Sequence, residues 1–375
     1  MKVSELKNLQ FFQNSSGTDD LVAMSLNCFD ATVYTTLKNN KNISREKSLE
    51  LFIRDVNPVL WYHPDNGTFR FCNQSRNIAP LWREYIGLNT YTMKNDKNAM
   101  SVLENLLDKN DMVLIQTVFY KLPFINWYDP NAEYQSFVED EQEHVLNIVA
   151  QDQNNFYYAE KIPYNINKSN FIPSEQNKYI GVISKKEMDE VCRYFLRCYT
   201  LEVSNSIYES QYDNGIGSFL KKVLENYEVQ DEENNGYIRC YGRNSLYKLK
   251  EFCMQGKDIK LFFQPDGWTL PNRVAFDIWM IFSSRQVLRE YFLEINKTRK
   301  SELIRTITDL LYNVVKIWVM LSNVFAKRIQ TGDTILTPKN AGVVDKLIDS
   351  EETLFGLIKT WYYEELLKER GDVND

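Results

Sequence analysis

The chain has 375 residues, enough for two domains of ordinary size and for a core that needs no disulfide staples. Its 44 basic and 51 acidic residues leave a net charge of −7 with no long basic tract, which argues against generic nucleic-acid binding. With 14 glycines, well under the usual share of about 7%, it is poorly supplied with the close backbone approaches that phosphate-cradling loops need.

Phe29, Val33 and Leu37 recur at helical spacing behind Asn27, a candidate N-cap, and Asn39-Asn40-Lys41-Asn42 breaks that helix. A second short helix begins at Ser44. Val59–Tyr62 and Thr68–Phe71 flank Pro64-Asp65-Asn66-Gly67, a hairpin signal with His63 at its turn. Ala99–Leu107 reads as a helix and Met112–Val118 as a buried strand. After a loop with Pro123 and Pro130 comes an acidic run, Glu139-Asp140-Glu141-Gln142-Glu143. His144–Ala150 then alternates as a strand, Gln151–Asn155 turns, and Phe156–Glu160 returns.

From about Lys185 amphipathic helical patterns take over, at Glu187–Cys198, Ser218–Tyr227, Asn244–Cys253, Val274–Ile295, Ser301–Arg328 and Val344–Glu369. Asn165–Tyr179, polar and containing Pro173, reads as the linker. The pattern predicts an α+β chain: a mixed first domain over 1–170, a linker over 171–185 and a helical domain over 186–375.

The motif inventory excludes several chemistries. There is no G-x-G-x-x-G, no G-x-x-x-x-G-K-[ST] and no G-x-S-x-G; Gly215-Ile216-Gly217 comes nearest. The two histidines, His63 and His144, cannot form a multi-histidine metal site. The six cysteines contain no C-x-x-C pair, Cys192 and Cys198 being the nearest two, so no zinc site and no other bound cofactor is expected. The start, Met1–Lys7, lacks an apolar signal core, and the apolar stretch Val314–Leu321 is short and broken by Lys316. A cytoplasmic chain with reduced thiols, working away from membranes and nucleic acid, is expected.

Cys28 stands out among the thiols. It follows Asn27 at the first position of a helix, where backbone amides and the macrodipole favour an anion and lower a thiol pKa. The bland alternative is a small buried apolar residue. A cysteine nucleophile wants an imidazole, and His144 opens a strand directly after a loop. A hairpin turn centred on Asp152 pairs 144 with 160 and sets Glu160 beside His144, where a carboxylate orients an imidazolium. A turn one residue later breaks that pairing and leaves Asp152, Gln151 or Gln116 as orienters.

Ser25-Leu26-Asn27-Cys28-Phe29-Asp30-Ala31 with its amphipathic helix resembles the nucleophile segment of papain-like enzymes of the C39 type, and within these the butirosin biosynthesis protein H family. The strand Val113–Thr117, then Tyr120-Lys121-Leu122-Pro123-Phe124, His144–Val149 and Asp152, follow that family's order. So do Tyr241–Leu249 and the helix with Trp318, so the resemblance covers most of the chain. It implies a papain-like, C39-type cysteine-protease fold for the first domain and a helical cover or acceptor domain. It also implies Cys28 as nucleophile, His144 as base and Glu160 in a place the family usually fills with Asp. Where papain-like enzymes often carry an oxyanion-hole Gln, this chain has Val22 and Ala23. The Cys28 backbone amide, Asn27 and Gln116 are then the oxyanion candidates.

The family further implies acyl transfer without ATP. An acyl or peptidyl chain, held as a phosphopantetheine thioester on a carrier protein, passes through Cys28 to an amine, forming an amide in natural-product biosynthesis. The amine would be an aminoglycoside or a diamine, as in closthioamide-like assembly. The run Glu139–Glu143 reads either as a solvated loop or as an attractor for a cationic amine. Lys185-Lys186 with Arg193 and Arg197, or Lys297-Arg299-Lys300, read as faces for an acidic carrier. A papain-like peptidase or amidase, and a non-catalytic binding module, are the alternatives.

Overall fold

The computed structural model describes residues 26, 28–39, 44–53, 56–65, 68–73, 87–92, 98–110, 112–118, 143–159, 180–193, 197–201, 218–256, 260–261 and 270–366. In chain order these form α1 (Cys28–Asn39), α2 (Arg45–Ile53), β1 (Pro58–Tyr62), β2 (Thr68–Asn73), β3 (Leu88–Thr92), α3 (Ala99–Lys109), β4 (Val113–Val118), β5 (Glu143–Gln151), β6 (Asn155–Ala159), β7 (Ile180–Ser184) and α4 (Lys185–Cys192). There follow β8 (Arg197–Leu201), α5 (Ser218–Tyr227), β9 (Glu232–Asn234), β10 (Tyr237–Tyr241), α6 (Gly242–Gln255), β11 (Lys260–Leu261), α7 (Leu270–Arg299), α8 (Glu302–Thr331), α9 (Pro338–Trp361) and a π-helical turn over Tyr362–Leu366. The chain is α+β, with two sheets and a helical C-terminal region.

Two compact units result, and their division differs from the 170/186 boundary read from the sequence. One unit takes Met1–Ile43 with Asn77–Asp213; the other takes Ser44–Arg76 with Asn214–Asp375. The cause is long-range strand pairing. The hairpin β1–β2 joins β10, with Val59 opposite Tyr241 and Leu60 opposite Cys240. The 171–185 linker is also displaced: 180–184 is β7, hydrogen-bonded to β6, and its earlier residues lie outside those described.

The first unit holds a six-stranded antiparallel sheet in the order β3-β8-β4-β5-β6-β7. Val113 and Ile115 of β4 and Leu146 and Ile148 of β5 project from one face. There they meet Leu103 and Leu106 of α3 and Met188 and Val191 of α4. α4 begins where β7 ends because Ser184 and Glu187 cap each other: the Glu187 amide donates to the Ser184 hydroxyl oxygen, and the Ser184 amide donates to the Glu187 carboxylate. The helix read over Glu187–Cys198 stops at Cys192, and Cys198 lies in β8. There alternation has replaced helical spacing: Cys198 is in the α3/α4 core and Tyr199 faces the other way.

The second unit holds the five-stranded sheet β11-β2-β1-β10-β9, antiparallel except for the short parallel pair β11–β2. Its long helices follow the sequence reading. α8 buries Ile304, Leu311, Trp318 and Phe325 along one stripe. Ser301 caps its start and Gly332, at φ 71°, ends it. α8 runs for 30 residues, and by length and composition alone it is long and apolar enough to cross a membrane, as a core helix can also be. Arg285 of α7 and Glu351 of α9 form a fully buried ion pair, Nε to Oε1 2.6 Å, which the Trp318 indole joins by donating to the same oxygen at 2.7 Å.

Candidate functional site

Cys28 is the first residue of α1, as its position behind Asn27 predicted; Asn27 itself lies outside the described residues. α1 packs on β5, the strand that carries His144. Asp30, Val33, Tyr34 and Leu37 form its buried side.

His144 stands directly opposite Thr117 of β4. It is 8% exposed and Thr117 is fully buried. Side chains alternate across a strand, so His144 shares a face with Leu146 and Ile148, the face covered by α3 and α4. α1 lies on the other face. There Phe29 meets Tyr199 edge to face, with ring centroids 4.9 Å apart, and Tyr199 stands opposite Leu114. The nucleophile's helix and the imidazole thus approach the β4–β5 pair from opposite sides.

Gln116 is on the α1 side. Its main chain pairs with Val145 and Arg197, and its Oε1 accepts the Tyr199 hydroxyl proton at 2.6 Å. Tyr199 was missed in the sequence because the helical reading ended at Cys198. The alternation within Arg-Cys-Tyr-Thr-Leu over 197–201 was the available signal.

The β5–β6 hairpin does not centre on Asp152. Asp152 opens the turn rather than centring it. Its Oδ1 accepts from the amides of Asn154 and Asn155 at 2.9 and 2.8 Å, and its own amide donates to the Asn155 carbonyl at 2.9 Å. Gln151 therefore pairs with Phe156, and after a bulge Ile148 pairs with Tyr158 and Asn147 with Ala159. Glu160 itself lies outside the described residues.

Asp152 is at the far end of β5 from His144, roughly 26 Å away at about 3.3 Å per residue, and cannot orient that imidazole. Its other oxygen accepts the Tyr157 hydroxyl proton at 2.7 Å. That bond, then the Asn154 amide, holds the Asp152 carboxyl below the usual carboxylate range. Gln151 is roughly 23 Å away by the same rise of about 3.3 Å per residue and donates to Asp108 at 3.0 Å.

The remaining candidates sort by burial and pairing. His63 keeps its turn: Nδ1 accepts from the Asp65 amide at 3.2 Å, and its ring packs edge-on against Tyr237 at 5.0 Å. Cys72, Cys192, Cys198, Cys240 and Cys253 are all buried free thiols. Burial pushes Cys198 and Cys253 up to about 12 and raises Cys192 and Cys240 as well, so these sulfurs stay protonated. Of the basic faces, Lys185 is paired with Glu104 at 2.6 Å, Arg193 with Glu190 at 3.1 Å and Lys297 with Glu294 at 2.7 Å. The acidic run lies outside the described residues apart from Glu143, the first residue of β5. Among the described residues no group of three metal-ligating side chains occurs.

No known family profile matches the chain, and no curated protein matches it.

Proposed function

We propose that the chain is a cysteine-dependent acyltransferase of papain-like, C39-type fold, akin to the butirosin biosynthesis protein H family. The observation that carries the reading is the place of Cys28, first residue of a helix packed on the strand that bears His144. Helix-terminal amides favour its thiolate. The other described cysteines are buried, and four have raised pKa values, which leaves Cys28 the thiol best suited to attack.

In this reading the thiolate adds to the carbonyl carbon of a phosphopantetheine thioester presented by a carrier protein. The pantetheine sulfur leaves and takes up the proton that the Cys28 thiol gave up. An amine then attacks the acyl-enzyme, the Cys28 sulfur leaves, and the amine proton passes to it. Exchange between thioesters is nearly thermoneutral and the final amide is far more stable, so the sequence requires neither nucleotide nor resident cofactor. The acceptor is an amine such as a diamine or aminoglycoside, and the setting is cytoplasmic natural-product biosynthesis.

A second reading, a non-catalytic binding module of the same fold, draws support from the pleat that sets His144 on the face opposite α1. One experiment separates the readings. The full chain is mixed with an acyl pantetheine thioester and a diamine, and intact mass is followed with product analysis. Acyl transfer gives an adduct on Cys28 and then the amide. An adduct that only hydrolyses to free acid marks a peptidase or amidase. No adduct, or an unchanged adduct in Cys28→Ala, removes the assignment of this site.

A further inference from the structure

We propose that the otherwise dry core of the second unit binds one internal water, held between Arg285 Nη2, Glu351 Oε2 and the Tyr227 hydroxyl. The site lies wholly within that unit and is independent of Cys28 chemistry, so it stands whether or not the acyltransfer reading does.

The buried ion pair is lopsided. Arg285 Nε and the Trp318 indole both donate to Glu351 Oε1, at 2.6 and 2.7 Å. Glu351 Oε2 and Arg285 Nη2 are buried without a hydrogen-bond partner. The Nε–H and one Nη2–H bond leave a guanidinium along the same edge, so a carboxylate can take both at once. Arg70 is bound in that way, with Nε and Nη2 donating to the two oxygens of Asp277 at 2.9 and 3.0 Å. Arg285 is kept from turning to close its second leg, because Nη1 donates to the carbonyls of Val56 and Ile281. An N–H and a carboxylate oxygen therefore stand on the same side of the pair, neither of them bonded.

Tyr227 brings the third group. Its ring lies on Phe355 with centroids 3.7 Å apart and planes 3° from parallel. Phe355 is one turn beyond Glu351, and both are on the buried stripe of α9, so the ring is laid along the helix face that carries the carboxylate. Asn57, the neighbour of Val56, donates to the Val223 carbonyl at 2.9 Å, one turn before Tyr227 on α5. One stretch of backbone thus anchors both Arg285 and α5. The Tyr227 hydroxyl is itself buried without a partner. Burial raises its pKa first and the Glu351 charge second, as befits a hydroxyl near that carboxylate.

The three groups select the ligand. An anion suits the Arg285 N–H but is repelled by Glu351, and a cation reverses the problem. A water accepts from Arg285 Nη2 and from the Tyr227 hydroxyl and donates to Glu351 Oε2. That gives it three bonds, about the usual number for an internal water. Each of the three groups is costly to bury unmet, so one molecule relieves all of them and ties α5, α7 and α9 together.

The test is a crystal structure of the full chain at a resolution that shows ordered water, with oxygen-17 relaxation dispersion counting long-lived waters in solution. The crystal should show one water within hydrogen-bond distance of Arg285 Nη2, Glu351 Oε2 and Tyr227 Oη. The wild-type chain should hold one more long-lived water than the double variant Arg285→Met with Glu351→Leu. Tyr227→Phe keeps the ring on Phe355 and removes only the hydroxyl; in urea titrations it should raise the unfolding equilibrium constant about 10-fold. In the double-variant background that loss should vanish, because the water it serves is gone. An Arg285–Glu351 pair with both legs of the fork closed, a Tyr227 hydroxyl bonded directly to Glu351 Oε2, or equal water counts in wild type and double variant would overturn the proposal. So would a Tyr227→Phe loss that persists undiminished in the double background.

Discussion

Thr117 and His144 face each other across β4 and β5, and neither is open to solvent. The pair closes the row that continues through Ile115–Leu146 and Val113–Ile148, all on the α3/α4 face. The imidazole is therefore part of a packed sheet face near the start of β5. Its chemistry and its packing can be separated. The base role that the family resemblance implies requires His144→Ala to slow Cys28 acylation by about 10²- to 10⁴-fold, the usual contribution of a positioned acid–base group. His144→Asn keeps polarity and much of the volume and should restore folding but not rate. Thermal melting beside single-turnover kinetics reads both; equal rates in wild type and His144→Asn would make His144 a structural residue.

The thiol assignment is open to a simpler measurement. Burial keeps the Cys192, Cys198, Cys240 and Cys253 thiols protonated well above neutral pH. At pH 7 iodoacetamide should label Cys28 at least about 10-fold faster than these four, since only thiolate reacts. Peptide mapping of a timed alkylation checks it, and preferential labelling of any other cysteine would move the nucleophile.

Local pattern carried much of the fold. The hairpin over 58–73, the strands at 113–118 and 143–151, and the helices from Ser218 onward were legible because each has its own period and turn residues. Partnership was not. Nothing near Val59 announces Tyr241, and that one pairing moves residues 44–76 into the second unit. The register of β5–β6 turned on the Asp152 side chain binding two amides, and on a bulge between Ile148 and Ala150. Either shifts the cross-strand neighbours without changing the hydrophobic alternation. At the candidate site the same limit applies: the sequence offered Cys28, His144 and Gln116 as candidates, but that His144 and Gln116 take opposite faces follows from the register of the strands together.

The Asp152 turn should leave a pH signature. Its carboxyl sits below the usual range because the ionised form accepts from Tyr157 and two amides. A depressed folded pKa contributes stability above the unfolded value of about 3.9 and loses it as pH falls toward the folded value. Tyr157 is pushed up to about 12 by burial and by Asp152, so its share is present below about 10 and lost as pH rises through 12. Asp152→Asn should flatten the acid limb of a stability–pH curve, and Tyr157→Phe the alkaline limb, with a loss of roughly 1–3 kcal/mol at neutral pH for a hydrogen bond to a charged group. Denaturant titrations across the pH range test the sign of each.

Gly242 begins α6 at φ 47°, and a Cβ there would run into the Tyr227 carbonyl oxygen of α5. Gly242→Ala therefore combines left-handed strain with a backbone clash that no side-chain rotation relieves. A loss of about 1–3 kcal/mol is expected. Gly256 ends the same helix at φ 61° with nothing near its added Cβ, so Gly256→Ala tests strain alone and should be the milder of the two. Equal urea midpoints for both variants would mean that the approach of Tyr227 does not constrain the site.

The Arg285–Glu351 pair gives the sharpest contrast in stability. Both side chains are 0% exposed, and Arg285 also donates to the carbonyls of Val56 and Ile281. Removing one partner strands the other charge in a dry core. Glu351→Leu should destabilise the chain by about 3–5 kcal/mol, and Arg285→Met by a similar amount. The double variant removes both charges and fills the space with apolar side chains, so its loss should be well below the sum of the singles. Trp318 sharpens the reading, because its indole N–H donates to the Glu351 oxygen and loses its acceptor in every variant that removes the carboxylate. Trp318→Phe in the double background should then be nearly neutral, whereas in the wild-type background it removes a bond to the buried carboxylate and loses stability. If chemical denaturation shows the two single variants summing to the double, the ion pair is not a coupled unit and each side chain acts through its own packing.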